Sequence, residues 1–168
     1  LYKKGWSGVN IDMLNENLKF FNYFRKRDTN LNAAISSSSG FTKAFIFETG
    51  SGLNTLNKKW ADYWSKKINK PFLTQKIKKT TLNEVLNNNN VKKNFDFLNI
   101  DVEGHEVDVL KGINFKKYRP KLIAIEIHTK NTKEIFQTQT YKILKKNLYE
   151  LISHYYQTSF FKCKNFDI

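Results

Sequence analysis

A run of large apolar residues that ends abruptly in charged ones constrains the fold of this chain more than any other feature. Phe95 to Ile100 holds four large apolar residues in six positions, as is typical of a strand covered on both faces in a parallel sheet. Directly after it come three carboxylates, a glycine and a histidine: Asp101, Glu103, Gly104, His105 and Glu106. Ligands of open α/β sheets bind beyond the carboxyl ends of the strands, so we expect chemistry at this corner. The alternative is that Asp101 and Glu103 only begin the next helix, where carboxylates favour the positive end of the dipole.

Strands and helices alternate along the rest of the chain. Leu122 to Ile127 is a second nearly unbroken apolar run, which predicts another buried strand, with Glu126 and His128 at its end. Shorter strands are predicted at 9–11, 31–35 and 41–47, and an antiparallel hairpin at 149–155 and 158–162. Helices are predicted at 13–25, after the capping-box pair Thr81 and Glu84, between Asp101 and Gly112, and at 132–146. This alternation predicts an α/β fold with one antiparallel pair at its end.

In two segments the predicted structure depends on aromatic residues. In the first predicted helix, Leu14, Leu18 and Phe21 recur at helical spacing and Phe20 and Phe24 widen the apolar stripe, which predicts a core face. The segment 54–71 carries Trp60 and Trp64 four positions apart. That spacing fits either an irregular excursion or a partial helix.

Length and composition predict one soluble domain over residues 1–168. A chain of 168 residues with 40% hydrophobic and 15% aromatic residues can bury a real core. No apolar run approaches the roughly 18 residues of a membrane span and no signal peptide opens the chain, which predicts a cytoplasmic protein. The chain opens at Leu1 in mid-pattern, so we expect an N-terminally truncated piece of a longer protein. Cys163, the single cysteine, excludes an internal disulfide framework and is expected to serve packing.

A net charge of +14 would attract nucleic acid, an anionic membrane surface or an acidic substrate. The lysines are spread along the chain, and pairs such as Lys58-Lys59 and Lys78-Lys79 are typical of solvated faces. No recognisable nucleic-acid-binding motif accompanies them. A basic module that binds nucleic acid or an anionic glycan is therefore an alternative supported by charge alone.

Several motifs in a fixed order resemble the FkbM family of S-adenosylmethionine-dependent methyltransferases. They are Leu1–Asp12, Arg25–Asp28, Asn32–Ser36, Ile100–Glu106, Leu110–Gly112 and Arg119–Lys121. The resemblance covers essentially the whole chain, and the part from Ile100 to Gly112 is the most specific. It implies a Rossmann-like class I methyltransferase sheet, mostly parallel with a C-terminal antiparallel hairpin. It also implies S-adenosylmethionine as cofactor and methyl transfer to a hydroxyl of a sugar, glycan or small metabolite.

The resemblance assigns cofactor-binding roles residue by residue. Asp12 is similar to the strand-end acid that binds the ribose hydroxyls, a task that suits a carboxylate accepting two hydrogen bonds. Ile35 and Ser36 match the positions that flank the adenine, although Ser36 capping a turn is an equal alternative. Asp101 and Glu103 match the acids near the methionine part of the cofactor and the acceptor.

Methyl transfer to oxygen needs the acceptor hydroxyl held in line while its proton is removed. We predict catalytic roles for Asp101, His105 and His128, since a histidine with an ordinary pKa of about 6.5 is well populated as a neutral base near pH 7. For either histidine, an ordinary surface or turn position remains the alternative. His154, on a late strand, is predicted to be structural. No tight ligand spacing supports a metal site, so none is predicted.

One departure from the family pattern concerns the cofactor loop. The family's first strand and its glycine-containing loop precede the segment that begins here at Leu1, and the seven glycines form no G-x-G-x-x-G after a strand. Without that strand, two neighbouring strands would have unpaired edges and the cofactor would lose its backbone cradle. A non-catalytic remnant is therefore the second functional hypothesis, and we expect this chain alone to bind the cofactor weakly.

Overall fold

The computed structural model describes residues 1–166 and shows alternating strands and helices after a short 3-10 turn at Tyr2–Lys4. The strands are β1 (Val9–Asp12), β2 (Thr29–Asn32), β3 (Ala34–Ser36), β4 (Gly40–Ile46), β5 (Leu73–Thr81), β6 (Phe97–Ile100), β7 (Leu122–Glu126), β8 (Tyr149–Tyr155) and β9 (Thr158–Cys163). The helices are α1 (Asn15–Phe24), α2 (Lys58–Ile68), α3 (Leu82–Asn88), α4 (Glu106–Lys111), α5 (Thr132–Ile135) and α6 (Gln139–Lys146). The α/β class is confirmed. Positions 167–168 of the predicted domain lie outside the described residues.

The strands form three hydrogen-bonded sheets, whereas the sequence predicts a mostly parallel sheet that lacks its first strand. They are ordered β1-β2, β3-β5-β4 and β6-β7-β9-β8. The pairs β1–β2, β3–β5 and β6–β7 are parallel, whereas β4–β5, β7–β9 and β8–β9 are antiparallel. The two larger sheets are mixed because β5 runs antiparallel to β4 and because β9 runs antiparallel to both β7 and β8.

The main core lies around the four-stranded sheet. Ile123, Ile125 and Phe161 are fully buried, as the unbroken apolar run of β7 predicts for a strand covered on both faces. Helices α3, α4 and α6 cover this sheet with Leu86, Leu110 and Leu144 among other buried side chains. Cys163 is also fully buried, and its sulfur accepts a hydrogen bond from Arg119 Nη2 at 2.9 Å. This core fixes the ends of β6 and β7 and everything attached to them.

Helix α1 buries a narrower stripe than its spacing predicts. Leu14 and Leu18 are buried, but Phe20 and Phe24 are 72% and 66% exposed. The prediction that these two phenylalanines are core is wrong. The helix packs mainly on the small β1–β2 sheet, which offers too little surface to cover a wide stripe.

Three further elements differ from the predicted pattern. The predicted helix at 132–146 is two helices, because the Thr138 hydroxyl accepts a hydrogen bond from the Tyr141 amide and starts α6 anew. The predicted strand at 31–35 is divided at Ala33, whose amide bonds back to the Asp12 carbonyl. Strand β5 was not predicted at all. The capping box at Thr81 and Glu84 is present as predicted and begins α3.

A cavity of about 700 Å³ lies between the β1–β2 sheet and the four-stranded sheet. Its walls include Gly8–Ile11 on one side and Phe97–Asp101 on the other. Strand β1 pairs only with β2 and strand β6 pairs only with β7, so each has one edge without a strand partner in the described chain. Within residues 1–166, no helix is both long enough and apolar enough to cross a membrane.

Candidate active site

The acidic corner is built where β6 and β7 end side by side. Ile100 pairs with Ile125 in parallel register, so Asp101 and Glu126 stand one position beyond that pair on adjacent strands. Parallel strands place their carboxyl ends at one edge of a sheet, which is where ligands of such sheets bind. Asp101 also borders the large cavity. The two acids meet at this edge, as their positions after two buried strands predict.

The backbone after Asp101 turns through two left-handed residues. Glu103 has φ of 51° and Gly104 has φ of 85°. A non-glycine residue in this region is strained, and such strain persists only where surrounding contacts hold it. At Gly104 there is also little space for a side chain, since an added Cβ would lie 3.1 Å from Trp60 Cγ. The side chain of Glu106 accepts a hydrogen bond from the Gly104 amide at 3.0 Å and steadies the turn.

Contacts from the segment before α2 hold this turn. The Thr55 hydroxyl donates to the Glu103 carbonyl at 2.7 Å, and the Asn57 side-chain amide donates to the Gly104 carbonyl, also at 2.7 Å. Asn57 at the same time caps α2 by accepting from the amides of Lys59 and Trp60. One side chain therefore fixes both the start of α2 and its position against the corner.

Trp60 is the site residue that sequence reasoning missed. Its indole Nε1–H donates to Glu103 Oε2 at 3.0 Å, and its ring lies 4.5 Å from the ring of His128, centroid to centroid. The Trp60–Trp64 spacing indicated a possible helix but nothing about its place in the fold. The Trp60–Glu103 contact spans 43 positions and crosses between sheets, so no local pattern predicts it.

Glu126 and His128 lie together at the end of β7. Their Oε2 and Nε2 atoms are 3.3 Å apart, and each side chain is less than one fifth exposed. Burial together with the neighbouring carboxylates of Asp101 and Glu103 raises the pKa of Glu126 to about 7. Burial likewise raises the pKa of Glu103, and the charges of Asp101 and Glu106 act in the same direction. Burial lowers the pKa of His128, although Asp101 opposes that shift.

Although the sequence predicts no metal site, three side chains have ligand atoms in a compact group. One ligand atom each from Glu103, Glu126 and His128 lies within 4.8 Å of the other two. His105 is outside this group. Two carboxylates and one imidazole form a donor set that a divalent cation can bind.

His105 and Ser36 form a separate contact on the α4 side of the corner. Their Nε2 and Oγ atoms are 3.1 Å apart, and His105 Nδ1 lies 3.7 Å from Asp108 Oδ2. Burial lowers the pKa of His105, with Asp108 opposing the shift. Ser36 is 3% exposed. The structure thus places the two predicted histidines in different surroundings.

The remaining predicted positions lie on β3, β1 and β8. Ile35 borders the large cavity. Asp12 ends β1, where its carboxylate accepts from the Leu14 amide at 2.7 Å and from the Asn17 side chain at 3.0 Å. Both Asp12 oxygens therefore also serve the start of α1. His154 Nδ1 lies 2.9 Å from the Ser159 hydroxyl of the paired strand, a contact within the sheet.

Acids and histidines follow the carboxyl ends of the parallel strands β6 and β7, beside a cavity of about 700 Å³. In α/β domains this edge of the sheet is where small ligands bind. Residues 1–151 match the family model of the Methyltransferase FkbM domain. The match spans most of the chain, and the protein belongs to this family. No curated protein and no solved structure matched the chain.

Proposed function

We propose that this protein is an S-adenosylmethionine-dependent methyltransferase that transfers a methyl group to a hydroxyl of a sugar, glycan or small metabolite. The observation that carries the proposal is the convergence of Asp101, Glu126 and His128 at the ends of the adjacent parallel strands β6 and β7. Family membership over residues 1–151 supports the reaction class.

The charges of the residues at the corner are complementary to those of the cofactor. S-adenosylmethionine carries a positive sulfonium and a positive ammonium, and Asp101 supplies a carboxylate at the wall of a cavity of about 700 Å³. Glu103 adds a second carboxylate two positions further along the chain. When bound, the cofactor supplies an electrophilic methyl group. Asp12, Ile35 and Ser36 are the positions we assign to its ribose and adenine.

The chain's own residues would position the acceptor and receive its proton. Asp101 and His128 both lie beside Glu126 at the strand ends. A hydroxyl bound there would meet a carboxylate and an imidazole as proton acceptors. His105 contacts Ser36 and Asp108, which suits orientation of the turn before α4. Near-attack placement of the hydroxyl contributes more than proton removal alone.

The corner argues against a nucleic-acid ligand at this site. The chain carries a net charge of +14, yet Asp101, Glu103, Glu106 and Glu126 crowd together here. A phosphate backbone would be repelled from such a group, whereas a neutral hydroxyl or a cationic cofactor would not.

We further propose that an additional strand between β1 and β6 is required for tight cofactor binding. Support comes from the cavity that separates the open edges of β1 and β6. Unpaired strand edges offer backbone groups for a further strand. We expect calorimetry on these 168 residues to detect binding weaker than micromolar. Micromolar binding by this chain alone would contradict the requirement.

The test of the reaction is transfer of labelled methyl from S-adenosylmethionine to a panel of sugars, glycans and hydroxylated metabolites. We expect transfer by the protein, and a large loss of kcat in Asp101→Asn. The exposed-strand variant Glu150→Gln is the matched control and should retain activity. Absence of transfer to every acceptor would favour a non-catalytic remnant.

A further inference from the structure

We infer that Glu103, Glu126 and His128 form a binding site for one divalent cation. Their ligand atoms lie within 4.8 Å of one another, and the Glu126–His128 pair is 3.3 Å apart. Divalent ions hold carboxylate and imidazole ligands at about 2.0–2.2 Å, so two ligands at right angles lie about 3 Å apart. The group is close to that spacing already. The inference deepens the proposed function and rests on it for the role of the ion.

An unsatisfied nitrogen supports the site independently. His128 Nε2 is fully buried and has no hydrogen-bond partner among the described residues, since its approach to Glu126 lacks hydrogen-bond geometry. A buried polar atom without a partner is costly and calls for an explanation. A metal ion bound to this nitrogen would satisfy it.

The charge around the three ligands also points to a cation. Asp101, Glu103, Glu106 and Glu126 influence one another's ionisation. Within residues 1–166, no lysine or arginine forms an ion pair with any of these four, although the chain holds 29 such residues. A divalent ion would neutralise charge that the protein itself leaves unbalanced.

Surrounding contacts fix the ligands in place. Trp60 donates to Oε2 of Glu103 at 3.0 Å and packs against the ring of His128. Thr55 holds the Glu103 carbonyl and so maintains its left-handed backbone. Outer partners of this kind orient metal ligands and typically change metal affinity by about 10–100-fold when removed.

A donor set of two carboxylates and one imidazole suits an ion of intermediate hardness such as Mn²⁺. Three protein ligands leave positions open for the acceptor oxygen, whose hydroxyl pKa a bound cation lowers. The acceptor O–H proton then passes to Asp101, because His128 is occupied as a ligand. The new O–CH₃ bond forms as the S–CH₃ bond breaks, and the bonding pair leaves with the neutral thioether sulfur.

The experiment is titration of the metal-free chain with Mn²⁺, following free Mn²⁺ by electron paramagnetic resonance. We expect one site per chain. Affinity should fall at least tenfold in Glu126→Gln and in His128→Gln, and about tenfold or more in Trp60→Phe, which keeps the ring but loses the indole donor. Glu150→Gln, an exposed carboxylate on β8, should bind as the unaltered protein does. Circular dichroism verifies that each variant is folded.

Equal Mn²⁺ affinity in the unaltered chain, Glu126→Gln and His128→Gln would overturn the inference. Mn²⁺ binding is measured without cofactor. Failure of the cation-site inference is therefore distinguishable from failure of the methyltransferase proposal. Methyl transfer that persists in the presence of a chelator would contradict a role for the cation in the reaction but would support the methyltransferase proposal. Mn²⁺ binding at these residues without any methyl transfer would support the cation site but would contradict the methyltransferase proposal.

Discussion

Replacing Gly112 by alanine should destabilise the protein strongly, for lack of space and not because of backbone conformation. Gly112 ends α4 with φ of −83° and ψ of 0°, which any residue adopts. An added Cβ, however, would lie 2.3 Å from the Ser36 carbonyl oxygen. That is about 1 Å inside the roughly 3.5 Å of ordinary contact. This oxygen belongs to the backbone of a buried strand, so it cannot move away as the end of a flexible side chain could.

The cost should be about 2–3 kcal/mol of unfolding free energy, the upper part of the range for overpacked cores. The displacement also reaches the site, because Ser36 contacts His105 and the Gly112 carbonyl accepts from the Asn83 amide. The assay is urea unfolding followed by far-ultraviolet circular dichroism, with free energies from linear extrapolation.

Two further variants separate the explanations. Gly8→Ala is the matched control, since nothing lies within 4 Å of its added Cβ, and we expect a change between zero and about 1 kcal/mol of stabilisation. Gly112→Asn should be as harmful as alanine, because asparagine carries the same Cβ. If asparagine restored stability, Gly112 would act as a left-handed helix end. A loss below about 0.5 kcal/mol in Gly112→Ala would refute the steric argument.

Three other predictions concern stability. Burial alone would raise the pKa of Asp28, but hydrogen bonds from Asn10, Gly8 and Arg25 lower it. The ionised Asp28 side chain therefore stabilises the folded protein above a pH of about 4, and this stabilisation is lost as the pH falls through the pKa of the folded state. Asp28→Asn should therefore lose about 1–2 kcal/mol at pH 7 yet match the unaltered protein near pH 2 in urea titrations. Thr81→Ala should cost about 1 kcal/mol in thermal unfolding by removing the capping box, whereas Thr81→Ser should cost little. Leu18→Ala should cost about 2–4 kcal/mol and Phe20→Ala less than about 0.5, and similar losses for both would contradict the exposure of Phe20.

The fold was predictable where apolar runs are continuous. β7 is recognisable because a strand covered on both faces needs apolar residues at nearly every position. β6 is recognisable from its large apolar residues, but the expectation that it is covered on both faces is wrong, because Asn99 is exposed and Phe97–Asn99 border the cavity. β5 was missed because Leu73–Thr81 is polar and lysine-rich, and its face is mostly exposed. Pairing with β3 and β4 makes it a strand, which is a tertiary cause that alternation in the sequence does not record.

The candidate site divides in the same way. Asp101 and Glu126 were predictable as neighbours, because two buried strands that end in acids place them at one sheet edge. Trp60 was not, since its position depends on Asn57 linking α2 to a turn 47 residues away. The compact group of Glu103, Glu126 and His128 was also invisible to spacing, because it depends on the left-handed backbone at Glu103.

The division of the strands into three sheets has a consequence for how the molecule opens. Each sheet is a separate ladder of backbone hydrogen bonds, and separate ladders can open at different free energies. The β1–β2 ladder has four residue pairs and no buried hydrophobic strand residue, whereas β7 lies between two partners in the main core. Amide protons of β1 should therefore exchange with solvent by local opening, long before those of β7, which require global unfolding. The half of the proposed cofactor site that holds the ribose would then open locally, while the acidic corner remains folded.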